Sequence, residues 1–212
     1  YSSIELDVTP NRPDALNHLG VARDLACFKN TKLHMPRINV FEPSHIEKKL
    51  FNVAIESSKD CNSYVGGVIR GVKVTKSPDW LVERLKSIGH KSINNIVDVS
   101  NYIMFEFGHP THIFDFDKIS GKEILIRKAK KKEALITLDE KTHILTKENL
   151  VISDKDNPIA LAGIIGGLNS GVTSSTTSIF IESAYFNPIT IRKSSKQSQI
   201  LTDASKRFER GV

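Results

Sequence analysis

Glu182 is the residue with the most chemical leverage in this sequence. It ends the apolar run Ser178–Ile181, and it follows a stretch, Ile159–Gly171, that holds Gly163, Gly166, Gly167 and Gly171. The pattern predicts a strand over Ile159–Ile165 feeding a glycine loop, and a second strand delivering a carboxylate. Glycines in such a loop permit positive φ and let backbone N–H groups approach a ligand with no Cβ in the way. A carboxylate at the end of a near-core strand is costly to bury unless something donates to it. The alternative is a plain hairpin loop with Glu182 emerging into solvent, and on spacing alone that is the commoner outcome.

The second chemical stretch is His109-Pro110-Thr111-His112. The proline breaks the helix that would bring two histidines together as ligands, and no third histidine or cysteine lies near, so no metal site is expected. One histidine set by a rigid turn at a helix end is a catalytic or positioning candidate, with a structural hydrogen bond as the bland alternative. His18 reads as packed or solvated. Cys27 and Cys61 lack metal-type spacing and fit a reducing, cytoplasmic setting. No Ser-His-Asp or Cys-His grouping demands a covalent nucleophile, and no Walker-type phosphate loop is present.

The elements that must position these residues follow from caps and periodicity. Thr9–Asp14 is a rigid proline turn from which Asp14 would cap a helix to about Phe28, with Leu16, Leu19, Ala22, Leu25 and Ala26 on one face. Lys29–Lys49 reads as a connector. Strands are expected at Phe51–Glu56 and Tyr64–Thr75, where Gly66, Gly67 and Gly71 suggest a bulge or a close backbone approach. Ser77-Pro78 predicts a capped helix ending at Gly89, and a second helix fits Asn94–Phe107 with Gly108 as its left-handed stop. Strands follow at Glu123–Ala129, Glu133–Leu138, Thr142–Leu145 and Leu150–Ser153. Asn187-Pro188 and Thr202-Asp203 start two closing helices, the last presenting Lys206, Arg207 and Arg210. Clustered helices with mostly antiparallel strands argue an α+β fold, a layered β/β/α module with mixed sheets and flanking helices.

Composition sets the outer bounds. The 212 residues are 39% hydrophobic and 25% charged, which describes a globular domain or two, and no apolar run approaches a membrane span. A net charge of +6 permits an acidic partner such as RNA without demonstrating one. The densest basic patch, Lys128–Lys132, reads as a solvated strand end. The start at Tyr1 and the stop at Val212 inside a charged helical pattern suggest a segment of something longer.

Taken together and in order, the stretches TPNRPDALNHLGVARDLA, SPDWLVERL, INNIVDVSNYIMFEFGHPTHIFDFD, AGIIGG, IESAYFNP and TDASKRFERGV resemble the β subunit of bacterial phenylalanyl-tRNA synthetase. The resemblance covers nearly the whole chain. It implies residues 1–40 as a helical segment and connector belonging with a neighbouring domain, and 41–212 as the editing domain, matched from about Tyr64. The family's editing module hydrolyses tyrosine wrongly esterified to phenylalanine tRNA. Implied partners are tRNA-Phe and an α subunit in an α2β2 assembly. ATP and Mg²⁺ would serve the full synthetase elsewhere, with no cofactor in this segment, a cytoplasmic location and no membrane.

The same resemblance places the phenol-binding glutamate on Glu182, the editing histidine on His112, the glycine that leaves room for the ring on Gly166, and further pocket positions on Thr202 and Ala204. A basic pocket residue, usually arginine, falls on Lys91, which keeps the charge and loses the planar fork. A pocket that hydrogen-bonds a phenol can reject phenylalanine by as much as ~10⁴-fold, because the polar partner is otherwise left unfilled. Ester hydrolysis needs a positioned water and stabilisation of an oxyanion, with His112, the glycine-loop backbone and the tRNA's terminal ribose hydroxyl as the implied participants. Two other readings compete: a non-catalytic tRNA-binding or scaffold module with a vestigial pocket, and a free-standing hydrolase of tyrosyl esters.

Overall fold

In the computed structural model, residues 3–38 and 50–211 are described. The domain boundary expected at 40/41 lies outside the described residues. Among the described residues there are five α-helices and three sheets. The helices are α1 (His18–Phe28), α2 (Asp79–Ser87), α3 (Asn95–Phe107), α4 (Pro188–Ser198) and α5 (Asp203–Phe208). One sheet has three strands, β2 (Cys61–Arg70), β10 (Ser178–Phe186) and β3 (Thr111–Asp115), with β10 in the middle. A five-stranded sheet runs β1 (Asn52–Ile55), β4 (Glu123–Lys128), β7 (Leu150–Ser153), β8 (Pro158–Leu161), β9 (Ile165–Gly166), and β5 (Ala134–Ile136) pairs with β6 (Thr142–Ile144). Only β1–β4 is parallel. The architecture is α+β.

The two larger sheets share one apolar core. Phe114, Phe180 and Phe186 from one sheet, Ile126, Ile152 and Leu161 from the other, and Ile191 and Phe208 from the closing helices belong to a single buried cluster. Period-two alternation aims Phe180, Glu182, Ala184 and Phe186 of β10 into it, so the carboxylate shares a face with two phenylalanines. All four residues of β7 and all four of β8 are buried, as expected of strands covered on both faces.

Local chemistry sets most helix ends. Asn94 accepts from the N–H groups of Ile96 and Val97, Asn187 from those of Ile189 and Thr190, and Gly108 closes α3 at φ 91°. Two expected starts and one expected face differ. α1 begins at His18 under an Asn17 cap, because Pro13–Ala15 forms a separate 3₁₀ turn and Asp14 instead pairs with Arg12. Its apolar face is largely uncovered, with Leu25 and Phe28 exposed and only Gly20 buried. Ser77 does not cap α2; its hydroxyl donates to buried Asp98 at 2.5 Å, and the helix starts at Asp79. Asp98 also accepts from Ser92 Oγ and Ile93 N–H, which pins the loop between α2 and α3. Arg207 is not on a solvent face. It is buried, with Nη2 donating to Leu16 O at 2.6 Å and Nη1 to Asp203 O.

Candidate functional site

Glu182 lies opposite Gly66 of β2 on one side and opposite His112 of β3 on the other. It is 4% exposed, so the reading in which it emerges into solvent is overturned. The expected hairpin also differs. Ile159–Ile165 and Ser178–Ile181 do not pair with each other: β8 turns at Ala162–Ile164 into β9, whereas β10 crosses to the other sheet. The glycine turn and the carboxylate therefore meet from opposite sheets.

Between them is a cavity of about 60 Å³, walled by His112 and Glu182 on one side, by the turn from Gly163 to Gly166 on the other, and by Ala204 and Phe208 of α5. Gly166 is essential to this geometry. A Cβ there would come 2.5 Å from His112 Nε2, so any larger residue would collide with the imidazole. A benzene-sized guest needs on the order of 150 Å³, so seating an aromatic ring requires the walls to move.

The electrostatics follow from burial. Desolvation raises the Glu182 carboxyl to about 8, opposed by a hydrogen bond from the Tyr64 hydroxyl to Oε2 at 3.4 Å. Burial and the neighbouring Glu182 together raise the Tyr64 phenol well above its ordinary value. Burial also lowers His112 to about 4, and its Nε2 is buried with no hydrogen-bond partner. At neutral pH the site thus holds a neutral imidazole and a carboxyl that largely keeps its proton. Such a carboxyl can both donate and accept a hydrogen bond.

Of the residues expected at a site, the structure brings four to the cavity wall: His112, Glu182, Gly166 and Ala204. Thr202 stands behind the wall. It caps α5 in a reciprocal box with Ser205, and its hydroxyl donates to Ile164 O at 2.8 Å, tying the helix to the glycine turn. Lys91 is not brought in. Its side chain is exposed, while His90 Nε2 sits 3.2 Å from Asp203 Oδ2 and Ser92 is held by Asp98. His109 lies partly buried, edge-on to Phe208. Tyr64, the partner of Glu182, was not singled out from the sequence; the available signal was its inward phase with Gly66 and Val68 along β2. Among the described residues no group of three or more His, Cys, Asp or Glu side chains could hold a metal ion.

The family model described as the B3/4 domain matches residues 60–212. The chain is 46% identical over 208 residues to the phenylalanine–tRNA ligase beta subunit of Fusobacterium nucleatum, covering 98% of this chain and 26% of that protein. It is 47% identical over 209 residues to the beta subunit of Aquifex aeolicus, covering 99% of this chain and 26% of that one. It thus spans about a quarter of the length of the curated relatives it matches. A solved N-terminal fragment of the phenylalanyl-tRNA synthetase beta-subunit from Pyrococcus horikoshii aligns at 18% identity and a TM-score of 0.49, over 90% of this chain and 59% of that one.

Proposed function

The chain belongs to the B3/4 domain family, and from that premise we propose that it is the segment of a phenylalanine–tRNA ligase β subunit that carries a post-transfer editing site, hydrolysing tyrosine wrongly esterified to tRNA-Phe. The observation that carries this reading is a buried carboxyl aimed into an apolar cavity, with His112 beside it and Gly166 across from it.

A carboxyl with spare hydrogen-bonding capacity in an apolar wall selects for a phenol. A tyrosyl hydroxyl satisfies it, whereas a phenylalanyl ring leaves it unfilled. The two protonation states serve unequally: the acid donates to the phenol oxygen, whereas the carboxylate must instead accept from the phenol O–H, so the contact changes as the carboxyl titrates. Neutral His112 has a nitrogen free to orient the attacking water or the substrate. The backbone of Gly163–Gly166, which borders the cavity, supplies candidate donors for the developing oxyanion. The terminal ribose hydroxyl of the tRNA is a further participant in reach of the ester.

In the whole enzyme, ATP-dependent charging with Mg²⁺ takes place outside this segment. The partners are tRNA-Phe and an α subunit in an α2β2 assembly, working in the cytoplasm. No helix among the described residues is long and apolar enough to cross a membrane.

Deacylation of Tyr-tRNA-Phe and Phe-tRNA-Phe by the intact ligase tests the reading, with wild-type β and with Glu182→Ala. Wild-type enzyme is expected to consume the tyrosyl ester and spare the phenylalanyl ester, and Glu182→Ala to lose that preference. The small cavity volume favours a second reading, a tRNA-docking scaffold with a vestigial pocket. A wild-type enzyme that spares both esters would select it.

A further inference from the structure

Glu182 is already touched by a phenol, one that belongs to the protein. Tyr64 pairs with Ala184, two residues along the ladder from the Gly66–Glu182 pair, so its ring approaches the carboxyl on the diagonal of a single sheet face. Its hydroxyl donates to Oε2 at 3.4 Å. No β2 side chain stands directly opposite Glu182. That position is Gly66, and the space over it is filled by the Phe180 ring, whose Cε2 would lie 2.7 Å from a Cβ there. Tyr64 does not line the cavity, while Glu182 does. The tyrosine therefore reaches the carboxyl from outside the cavity lining.

We propose that Tyr64 is a positioning and specificity-determining residue of this site: its hydroxyl holds Oε2 from outside the cavity and leaves Oε1 to meet the phenol of an incoming tyrosyl ester. This rests on the editing reading above and adds to it a residue and a division of labour between the two carboxyl oxygens. A phenol O–H donating to Oε2 marks that atom as the acceptor oxygen. The carboxyl proton, when present, then sits on Oε1 and points into the cavity, where it donates to the substrate's phenol oxygen. At 3.4 Å the internal bond is long for O–H···O, so it orients the carboxyl without exhausting its capacity. The titratable groups around Glu182 are Tyr64 and Cys61 on β2 and His112 on β3. Of these, Tyr64 is the one hydrogen-bonded to it. Removing the hydroxyl removes a donor that favours the ionised form, so the carboxyl of the variant should titrate still higher.

The test compares Tyr64→Phe with wild type in the intact ligase, following kcat/KM against pH for both esters. Tyr64→Phe is expected to lower kcat/KM for Tyr-tRNA-Phe by about five- to tenfold, mainly through KM, the scale of one lost hydrogen bond. It should leave Phe-tRNA-Phe hydrolysis unchanged and move the tyrosyl-ester pH inflection upward. A side chain that only fills space would move neither the KM nor the inflection. Tyr64→Met, which keeps apolar bulk without a donor, must reproduce the loss, and it serves alone if the phenylalanine variant does not fold. Unchanged discrimination and an unchanged inflection, with Glu182→Ala still abolishing the preference, would overturn the role of Tyr64 while leaving the editing reading intact. Wild-type enzyme that spares both esters would remove both.

Discussion

A carboxyl that holds its proton to about pH 8 in the folded chain and loses it near 4.5 in the unfolded one makes stability fall as pH rises between those values, because there the folded state binds the extra proton. The slope is on the order of 1 kcal/mol per pH unit. His112 has the opposite sign: with its folded value near 4 against 6.5 unfolded, it withdraws stability as pH drops through that window. The two slopes oppose each other from about 4.5 to 6.5, and Glu182 acts alone above that. Glu182→Gln should therefore gain stability relative to wild type as pH rises from 6.5 to 8, read from urea midpoints. A pH-independent difference would contradict the buried, proton-retaining carboxyl. Gly166→Val is expected to abolish tyrosyl deacylation through collision with the His112 ring, measured alongside a thermal melt to confirm a folded chain.

Helix ends were legible in the sequence because caps are local: the Asn94, Asn187 and Thr202 starts, and the Gly108 stop, follow from residues a few positions apart. Strand partnership was not. The apolar runs around the glycine turn look like a hairpin to any short-range rule, yet β10 pairs with β2 and β3 because its inward face carries Phe180 and Phe186, which complete the shared core. For the site, Glu182 stood out by type and position, but its depth of burial depends on both sheets. Tyr64 could be found only once its register with Ala184 was known. Lys91 fails to reach the cavity for a similar reason, since the Asp98 network fixes the loop that carries it. At this scale Thr202 joins a helix start to a pocket wall. Thr202→Ala should cost about 1 kcal/mol through the lost cap, seen as a lower melting temperature. It should also weaken tyrosyl deacylation, because Ile164 O loses its tether. Full activity in that variant would argue that the tether is irrelevant to the wall.

One core cluster running through both large sheets and the two closing helices argues that these elements unfold as a single cooperative unit. Trp80, the only tryptophan, lies on α2 beside Tyr102 of α3, and α3 packs on β3. Its fluorescence should therefore follow the same denaturant transition as backbone circular dichroism. Phe180→Ala, which empties the place between Phe51, Phe114 and the open face of Gly66, should lower both midpoints together at a cost of about 3–5 kcal/mol. The position of β10 between β2 and β3 has a further consequence during translation. As the chain leaves the ribosome, β2 and β3 are made first and flank a vacant slot until the residues between Asp115 and Ser178 have followed, a wait on the order of several seconds. Throughout that interval β2 and β3 lack the strand with which both of them pair. The nascent polypeptide is then most exposed to chaperones and to neighbours offering a stray edge. The carboxyl that gives the pocket its selectivity arrives with the strand that ends this exposure.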